Sequence, residues 1–141
     1  YEDGRSSMFV TVFYGVLDPA GMQFSYVNAG HNPPLLVRDD GVQELSQSRG
    51  IALGVVPDVS IAATTLGLRH GDVLVLYTDG VTEAFNGQNE AFGEERLKEF
   101  VLANRAKPAT DVLEALVAEI RRFAGGAAQS DDITLVVVKV E

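Results

Sequence analysis

The sequence predicts an α+β fold in which antiparallel β-sheet is flanked by helices. Short apolar runs separated by Gly, Pro and Asp turns fill the first half of the chain, two helical patterns then follow one another directly, and one apolar run comes last. Strands segregated from helices are typical of this class, whereas alternation of the two is typical of parallel sheets. With 141 residues, 46% of them apolar and 22% charged, the chain fits one globular domain with a buried core.

The chain begins with a predicted β-hairpin. Residues 8–17 are apolar or β-branched at nearly every position, which is typical of a strand buried on both faces. The turn at 18–21 leads into a second strand at 22–28, in which Phe24 and Tyr26 lie on one face.

Further short strands follow the first hairpin. Residues 35–37 and 42–45 flank a turn of sequence RDDG and predict a second hairpin. Two more short strands are predicted at 51–53 and 61–66, and a central, fully apolar strand at 73–76.

Two consecutive helices are predicted in the second half of the chain. The first covers 94–104, and the second covers 109–123 with apolar residues at helical spacing. Gly125 and Gly126 end the second helix, and residues 133–138 form the last strand.

Acidic residues stand at the ends of two of these strands. Asp79 directly follows the central strand, and Asp131 and Asp132 directly precede the last strand. If the two strands pair antiparallel, all three carboxylates arrive at the same edge of the sheet. Oxygen-only ligation suits Mg²⁺ or Mn²⁺, and the absence of cysteine removes the thiolate sites of zinc and iron–sulfur centres.

Composition excludes several classes of function. Twenty acidic and 11 basic residues give a net charge of −9, and the basic residues are scattered, which argues against a nucleic-acid surface. The apolar runs are far shorter than the roughly 20 residues of a membrane span. The absence of cysteine agrees with a cytoplasmic location. A phospho-accepting receiver domain is excluded because its acidic pair would follow the first strand of an alternating fold.

Six motifs occur in an order and spacing that identify a family. They are MFVTVFYGVLD, YVNAGHNPP, GIALG, HGDVLVLYTDGVTEAFN, FGEERL and SDDITLVVV. Together they resemble the bacterial PPM-type serine/threonine phosphatases of the sporulation stage II protein E branch. The resemblance covers roughly residues 8–140 and implies an antiparallel β-sandwich with helices outside.

The resemblance also implies a binuclear Mn²⁺ or Mg²⁺ centre. In that family the Asp of the TDG motif and the first Asp of the DDIT motif are metal ligands, which here are Asp79 and Asp131. Two such ions hold phosphate oxygens and lower the pKa of a bound water from 15.7 toward about 7, so that it attacks phosphorus without a covalent enzyme intermediate.

One family segment is not found in the sequence. The DxSGHG-like segment, whose Asp bridges the two metals, lies upstream in the family, and here only seven residues precede Met8. We therefore expect residues 1–141 to be a partial phosphatase domain, truncated at the N-terminus, with little or no activity alone.

Several neighbouring residues have more than one candidate role. Asp132 either binds metal itself or serves only to orient Asp131, and Gly80 permits a sharp turn and a close approach of the backbone to the metal waters. Glu83 is a supporting residue, a ligand of an additional metal or a plain surface acid. His31, in a Gly- and Pro-rich loop, is either a structural residue or a catalytic group that handles protons on the substrate side.

Two function classes remain open from the sequence. The resemblance implies hydrolysis of phosphoserine or phosphothreonine on a protein, with an anti-anti-sigma factor as substrate and a sensor or response-regulator domain upstream in the parent chain. The alternative is an adaptor or regulatory binding module that keeps the fold without catalysis. Retention of Asp79, Asp131 and Asp132 favours the enzyme, because crowded like charges have no purpose in a scaffold.

Overall fold

The computed structural model describes residues 8–58, 60–129 and 131–141, with only the backbone described at Arg49. The chain divides into two compact units, the first within 1–33 and 45–69 and the second within 34–44 and 70–141. In chain order the elements are β1 (Val12–Asp18), β2 (Gln23–Ala29), β3 (Leu35–Arg38), β4 (Gly41–Glu44), β5 (Arg49–Gly50), β6 (Thr64–Gly67), β7 (Val73–Tyr77), α1 (Asp79–Thr82), α2 (Gly93–Asn104), α3 (Ala109–Ala124) and β8 (Leu135–Lys139).

The sheet of the first unit confirms the first predicted hairpin. β1 and β2 pair antiparallel along their whole length, with Val12 opposite Ala29. β6 also pairs antiparallel with β2. The two residues of β5 pair parallel with the C-terminal end of β2. Phe24, Tyr26 and Asn28 are buried on one face of β2, as the alternation predicted.

The prediction that the first strand is buried on both faces is wrong. β1 begins at Val12, and most of its side chains are exposed, among them Tyr14, Val16 and Leu17. Within the described residues β1 lies at a sheet edge, where it pairs with β2. Apolar composition indicates that a segment can be buried, but it does not show whether other elements cover one face of the strand or both.

The predicted short strands in the middle of the chain are shifted. Leu53 forms one isolated antiparallel bridge with Val10 rather than part of a strand. The strand predicted at 61–66 begins only at Thr64. Segments this short carry little periodicity, so their boundaries depend on tertiary pairing.

The sheet of the second unit has the order β4-β3-β7-β8 and is antiparallel throughout. It confirms the second predicted hairpin, β3–β4, and the antiparallel pairing of the two strands that carry the acidic motifs. Both faces of its central strands are buried, because Val73 and Val75 point to one side and Leu74 to the other.

The two predicted helices are confirmed, and they complete the core of the second unit. Leu97 and Val101 of α2 and Leu116 and Ile120 of α3 are fully buried in one apolar cluster with β3 and β7. Gly125 ends α3 with a φ of +60°, a conformation that favours glycine. No helix in the described part of the chain is long and apolar enough to cross a membrane.

Tyr77, the last residue of β7, makes the stability of this core depend on pH in the alkaline range. Its side chain is 3% exposed, and burial, with smaller effects of Glu94 and Glu44, raises its pKa from 10.0 to about 12. The folded protein thus favours the neutral phenol. This contribution to stability is complete below pH 10 and is lost as the pH rises through about 12.

We predict that Tyr77→Phe removes a pH-dependent loss of about 2–3 kcal/mol in the free energy of unfolding between pH 10 and pH 12. Urea titrations across that interval measure the difference between the wild-type protein and the variant, which cancels the titration of other groups. Tyr14→Phe, at an exposed position of β1, is the matched control and keeps the wild-type profile. Equal alkaline losses in the wild-type protein and Tyr77→Phe would contradict the assignment.

Candidate functional site

The two acidic motifs meet at the edge where β7 ends and β8 begins. Tyr77 and Leu135 are opposite each other and form the last pair of the antiparallel ladder. The chain continues past Tyr77 into Asp79, and the segment entering Leu135 carries Asp131 and Asp132. Antiparallel partners advance in opposite directions, so these segments stay adjacent beyond the ladder. The predicted convergence at one edge is confirmed at the level of the backbone.

Gly80 is the point of closest approach between the two segments. A Cβ atom at this position would lie 2.7 Å from the carbonyl carbon of Asp132, still closer to the carbonyl oxygen, and 3.1 Å from the carbonyl oxygen of Asp131. These are backbone atoms, which cannot move aside as a flexible side chain can. The glycine therefore lets the backbone that follows Asp79 lie directly against residues 131–132, and the predicted approach of this backbone to metal-bound water stays a prediction.

The hydroxyl of Thr78 joins the same two segments. It accepts a hydrogen bond from the Thr134 N–H at 3.0 Å and donates one to the Asp132 carbonyl at 3.1 Å. The Thr78 N–H donates to the Thr134 carbonyl at 3.2 Å. Threonine before a helix often caps it, but this hydroxyl bonds across to the neighbouring segment instead. It fixes the register of the edge where the carboxylates lie.

Asp79 is the first residue of the short helix α1. Val81 and Ala84 face the core, which leaves Asp79 and Glu83 exposed. The Glu83 N–H donates to the Asp79 carbonyl at 2.8 Å, so the segment is helical and its residues four apart are neighbours. This is the geometry in which Glu83 was predicted to share the site.

The segment before β8 holds Asp131 by local hydrogen bonds. Its Oδ1 accepts from the Asp132 N–H at 2.7 Å, and the Gln129 side chain donates to its carbonyl at 2.7 Å. Asp131 and Asp132 are both exposed. The first bond orients the Asp131 carboxylate, so it is the backbone of Asp132 that assists its neighbour.

His31 belongs to the first unit, where its loop is fixed by Asn28. The fully buried Asn28 side chain donates to the His31 carbonyl at 2.9 Å and accepts from the His31 N–H at 2.8 Å. The His31 Nδ1 lies 3.3 Å from the Thr11 hydroxyl. The Asn28 side chain thus holds the loop in place, and the catalytic role of His31 stays a prediction.

The acidic edge fits Mg²⁺ or Mn²⁺ in donor type and exposure. Asp79, Asp131 and Asp132 offer hard carboxylate oxygens at adjacent backbone positions. Within residues 8–58, 60–129 and 131–141, however, no three His, Asp or Glu side chains are grouped as they would be around a metal ion. That Asp79 and Asp131 bind a metal therefore stays a prediction.

Sequence reasoning did not assign roles to Thr78, Thr134 and Gln129. The predicted antiparallel pairing of the strands, extended by one residue, would have placed Thr78 opposite Thr134. The sequence therefore contains a signal from which the contact between the two threonines could have been predicted. The contact from Gln129 to Asp131 depends on the path of the loop, for which the sequence carries no periodic signal.

Comparison with known proteins gives a family match over the whole chain. The family model of stage II sporulation protein E (SpoIIE) matches residues 1–141. Protein IcfG of Synechocystis sp. is 36% identical over 137 residues, which cover 97% of this chain and 22% of that protein. Phosphoserine phosphatase RsbU of Bacillus subtilis is 27% identical over 136 residues, which cover 95% of this chain and 40% of that protein. The chain thus spans less than half the length of these relatives.

The fold is similar to solved phosphatase structures. The SiaA-PP2C domain of Pseudomonas aeruginosa superimposes with a TM-score of 0.83 at 23% sequence identity, over 93% of this chain and 52% of that one. The predicted α+β class, with antiparallel strands in two sheets and flanking helices, is confirmed by this match.

We predict that Gly80→Ala lowers the free energy of unfolding by about 1–3 kcal/mol, because the new methyl group overlaps the backbone of Asp132. Urea unfolding measures the loss. Gly87→Ala, where a Cβ would meet nothing within 4 Å, is the matched control and leaves stability unchanged or slightly higher. Equal stabilities of the two variants would show that the close approach is absent.

We predict that Thr78→Val, which keeps the shape and removes the hydroxyl, accelerates hydrogen exchange of the Thr134 amide. The expected cost in unfolding free energy is about 1 kcal/mol, the net value of a typical hydrogen bond. Amide exchange followed by NMR measures the effect, and Thr78→Ser, which keeps the hydroxyl, serves as control. Unchanged exchange in Thr78→Val would mean that the hydroxyl does not hold the edge together.

Proposed function

Because this chain belongs to the SpoIIE family, we propose that it forms part of a metal-dependent phosphatase domain that hydrolyses phosphoserine or phosphothreonine on a protein. The observation that carries the proposal is the convergence of the Asp79 and Asp131 segments at one exposed edge, in contact through Gly80. The name of RsbU, a phosphoserine phosphatase, supports the substrate class.

In the proposed site, Asp79 and Asp131 each provide carboxylate oxygens to Mn²⁺ or Mg²⁺, and the remaining ligands come from other parts of the intact domain. The chain covers 52% of the solved SiaA-PP2C domain, so the proposal concerns that whole domain. When bound, the two ions supply a water of lowered pKa and a positive charge for the phosphate oxygens. The two aspartates, held by the Thr78 and Gly80 contacts, fix where that charge lies.

Neighbouring residues have supporting roles in this proposal. Asp132 orients Asp131 through its N–H, and Gly80 keeps the two segments in contact. Glu83, exposed one helical turn after Asp79, supports the site or binds an additional metal. His31 is a candidate for proton transfer on the substrate side, on a loop held by Asn28.

The resemblance to sigma-factor regulatory phosphatases supports an anti-anti-sigma factor as the substrate. A sensor or response-regulator domain in the parent chain is part of the same proposal, and it agrees with the much greater length of the curated relatives.

A non-catalytic adaptor is the second candidate. The observation that favours it is that the described residues group no three acidic or histidine side chains around a possible metal position. Catalysis in the intact protein decides between the two candidates.

We predict that the intact protein releases phosphate from a phosphoserine protein in the presence of Mn²⁺, and that Asp79→Asn lowers kcat by more than about 100-fold. Loss of a group that merely supports a metal ligand lowers metal affinity or activity about 10–100-fold. Loss of the ligand itself is therefore expected to lower activity at least as much. Phosphate release under saturating substrate, with and without Mn²⁺, measures both effects.

The matched control is Asp39→Asn, which makes the same charge change at the exposed β3–β4 turn and leaves kcat unchanged. Full activity of Asp79→Asn would remove Asp79 from the ligand set. A folded wild-type protein that is inactive on several phosphoproteins would favour the adaptor.

A further inference from the structure

A small cavity lies beside the C-terminal end of α3 in the second unit. Its volume is about 130 Å³. The lining is mostly apolar, with one cationic residue, and includes Ala84, Phe85, Ile120, Arg121, Ala124 and Ile133. Ligand sites for whole small molecules typically measure about 300–1,000 Å³, so this cavity has room for a single aliphatic side chain.

One wall of the cavity, at Ala84, is held by contacts within the second unit. Beyond Phe85 the chain returns to the cavity wall, and the Phe92 N–H donates to the Ala84 carbonyl at 2.8 Å. The Phe92 ring packs edge-on against Phe123 of α3, at 5.4 Å between ring centroids. The Arg96 guanidinium lies 4.8 Å from the centre of the Phe123 ring and donates to the Phe92 carbonyl. These contacts connect the wall at Ala84 to the neighbouring part of α3.

The cavity adjoins the acidic edge on both segments. Ala84 follows Asp79 by five residues, most of them helical, so the cavity begins on the order of 8 Å from Asp79 along the chain at 1.5 Å per helical residue. Gln129, which also lines the cavity, donates to the carbonyl of Asp131. An extended peptide advances about 3.3 Å per residue. Two to four residues of a bound peptide therefore span a distance comparable to that between Asp79 and the cavity.

The one charged residue in the lining is a cation, although the chain as a whole carries −9. Arg121 lines the cavity, whereas its neighbour Arg122 is paired with Glu119. A cation at the mouth of an apolar cavity favours an apolar group with an acidic neighbour.

We propose that this cavity binds an aliphatic side chain of the phosphoprotein substrate, two to four residues from the phosphoserine, with an acidic residue beside it at Arg121. The inference rests on the proposed phosphatase function and adds a specificity site to it. The cavity thereby selects which phosphoserines reach the acidic edge.

The test uses the intact protein with Mn²⁺ and phosphoserine peptides that carry Leu-Asp or Ala-Ala at successive positions on either side of the phosphoserine. The expected result is a kcat/KM roughly tenfold higher for Leu-Asp at one position two to four residues away, the scale of one buried apolar side chain. Hydrolysis of p-nitrophenyl phosphate by the wild-type protein reports on the proposed function separately.

Two substitutions that fill the cavity test its place in this preference. Ala124→Leu at the end of α3 and Ala128→Leu in the following loop both project into the space, and thermal unfolding verifies that each variant is folded. Both are expected to reduce the ratio of Leu-Asp to Ala-Ala kcat/KM to about one. Arg121→Glu is expected to lower the ratio of Leu-Asp to Ala-Ala kcat/KM, whereas Arg122→Glu, the same charge change one residue away, keeps the wild-type ratio.

The outcomes separate the two claims. Activity on p-nitrophenyl phosphate without any Leu-Asp preference overturns the cavity proposal and leaves the phosphatase function intact. A preference that survives in the folded Ala124→Leu and Ala128→Leu variants also overturns the cavity proposal. Absence of all hydrolysis in the folded wild-type protein overturns both claims.

Discussion

The arrangement of the second unit depends on one contact between backbones, at Gly80. The β7–β8 ladder ends at Tyr77 and Leu135, and beyond it the chain that enters α1 lies directly against the carbonyl groups of Asp131 and Asp132. A side chain at Gly80 would separate the two segments. The Thr78 hydroxyl fixes their register, and the buried core beneath α1 keeps the helix from turning its acidic residues inward.

This arrangement concentrates negative charge on the outside of a buried apolar core. Asp79, Glu83, Asp131 and Asp132 are all exposed, while Val81 is fully buried beneath them. Solvation in water keeps the cost of adjacent like charges low, and a bound divalent cation would turn repulsion into attraction. This chain belongs to the SpoIIE family, and the metal site proposed above would make use of these exposed carboxylates.

Much of this architecture could be predicted from the sequence, because strong local patterns specify it. The apolar runs around Val73 and Leu135 and the periodic residues of α3 have few alternative structures, so antiparallel pairing placed Asp79 and Asp131 at one edge correctly. The exposure of β1 could not be predicted, because composition does not reveal which layers cover a strand. The role of Gln129 also escaped prediction, since it arises from an irregular loop.

The central claim is that Asp79 and Asp131 are ligands of the same metal centre. Anomalous diffraction at the manganese absorption edge, from crystals of the intact domain grown with Mn²⁺, tests it most directly. The account predicts anomalous peaks within about 2.3 Å of carboxylate oxygens of both Asp79 and Asp131, the order of distance at which hard divalent cations bind oxygen. Manganese bound elsewhere, with both carboxylates facing only water, would contradict it.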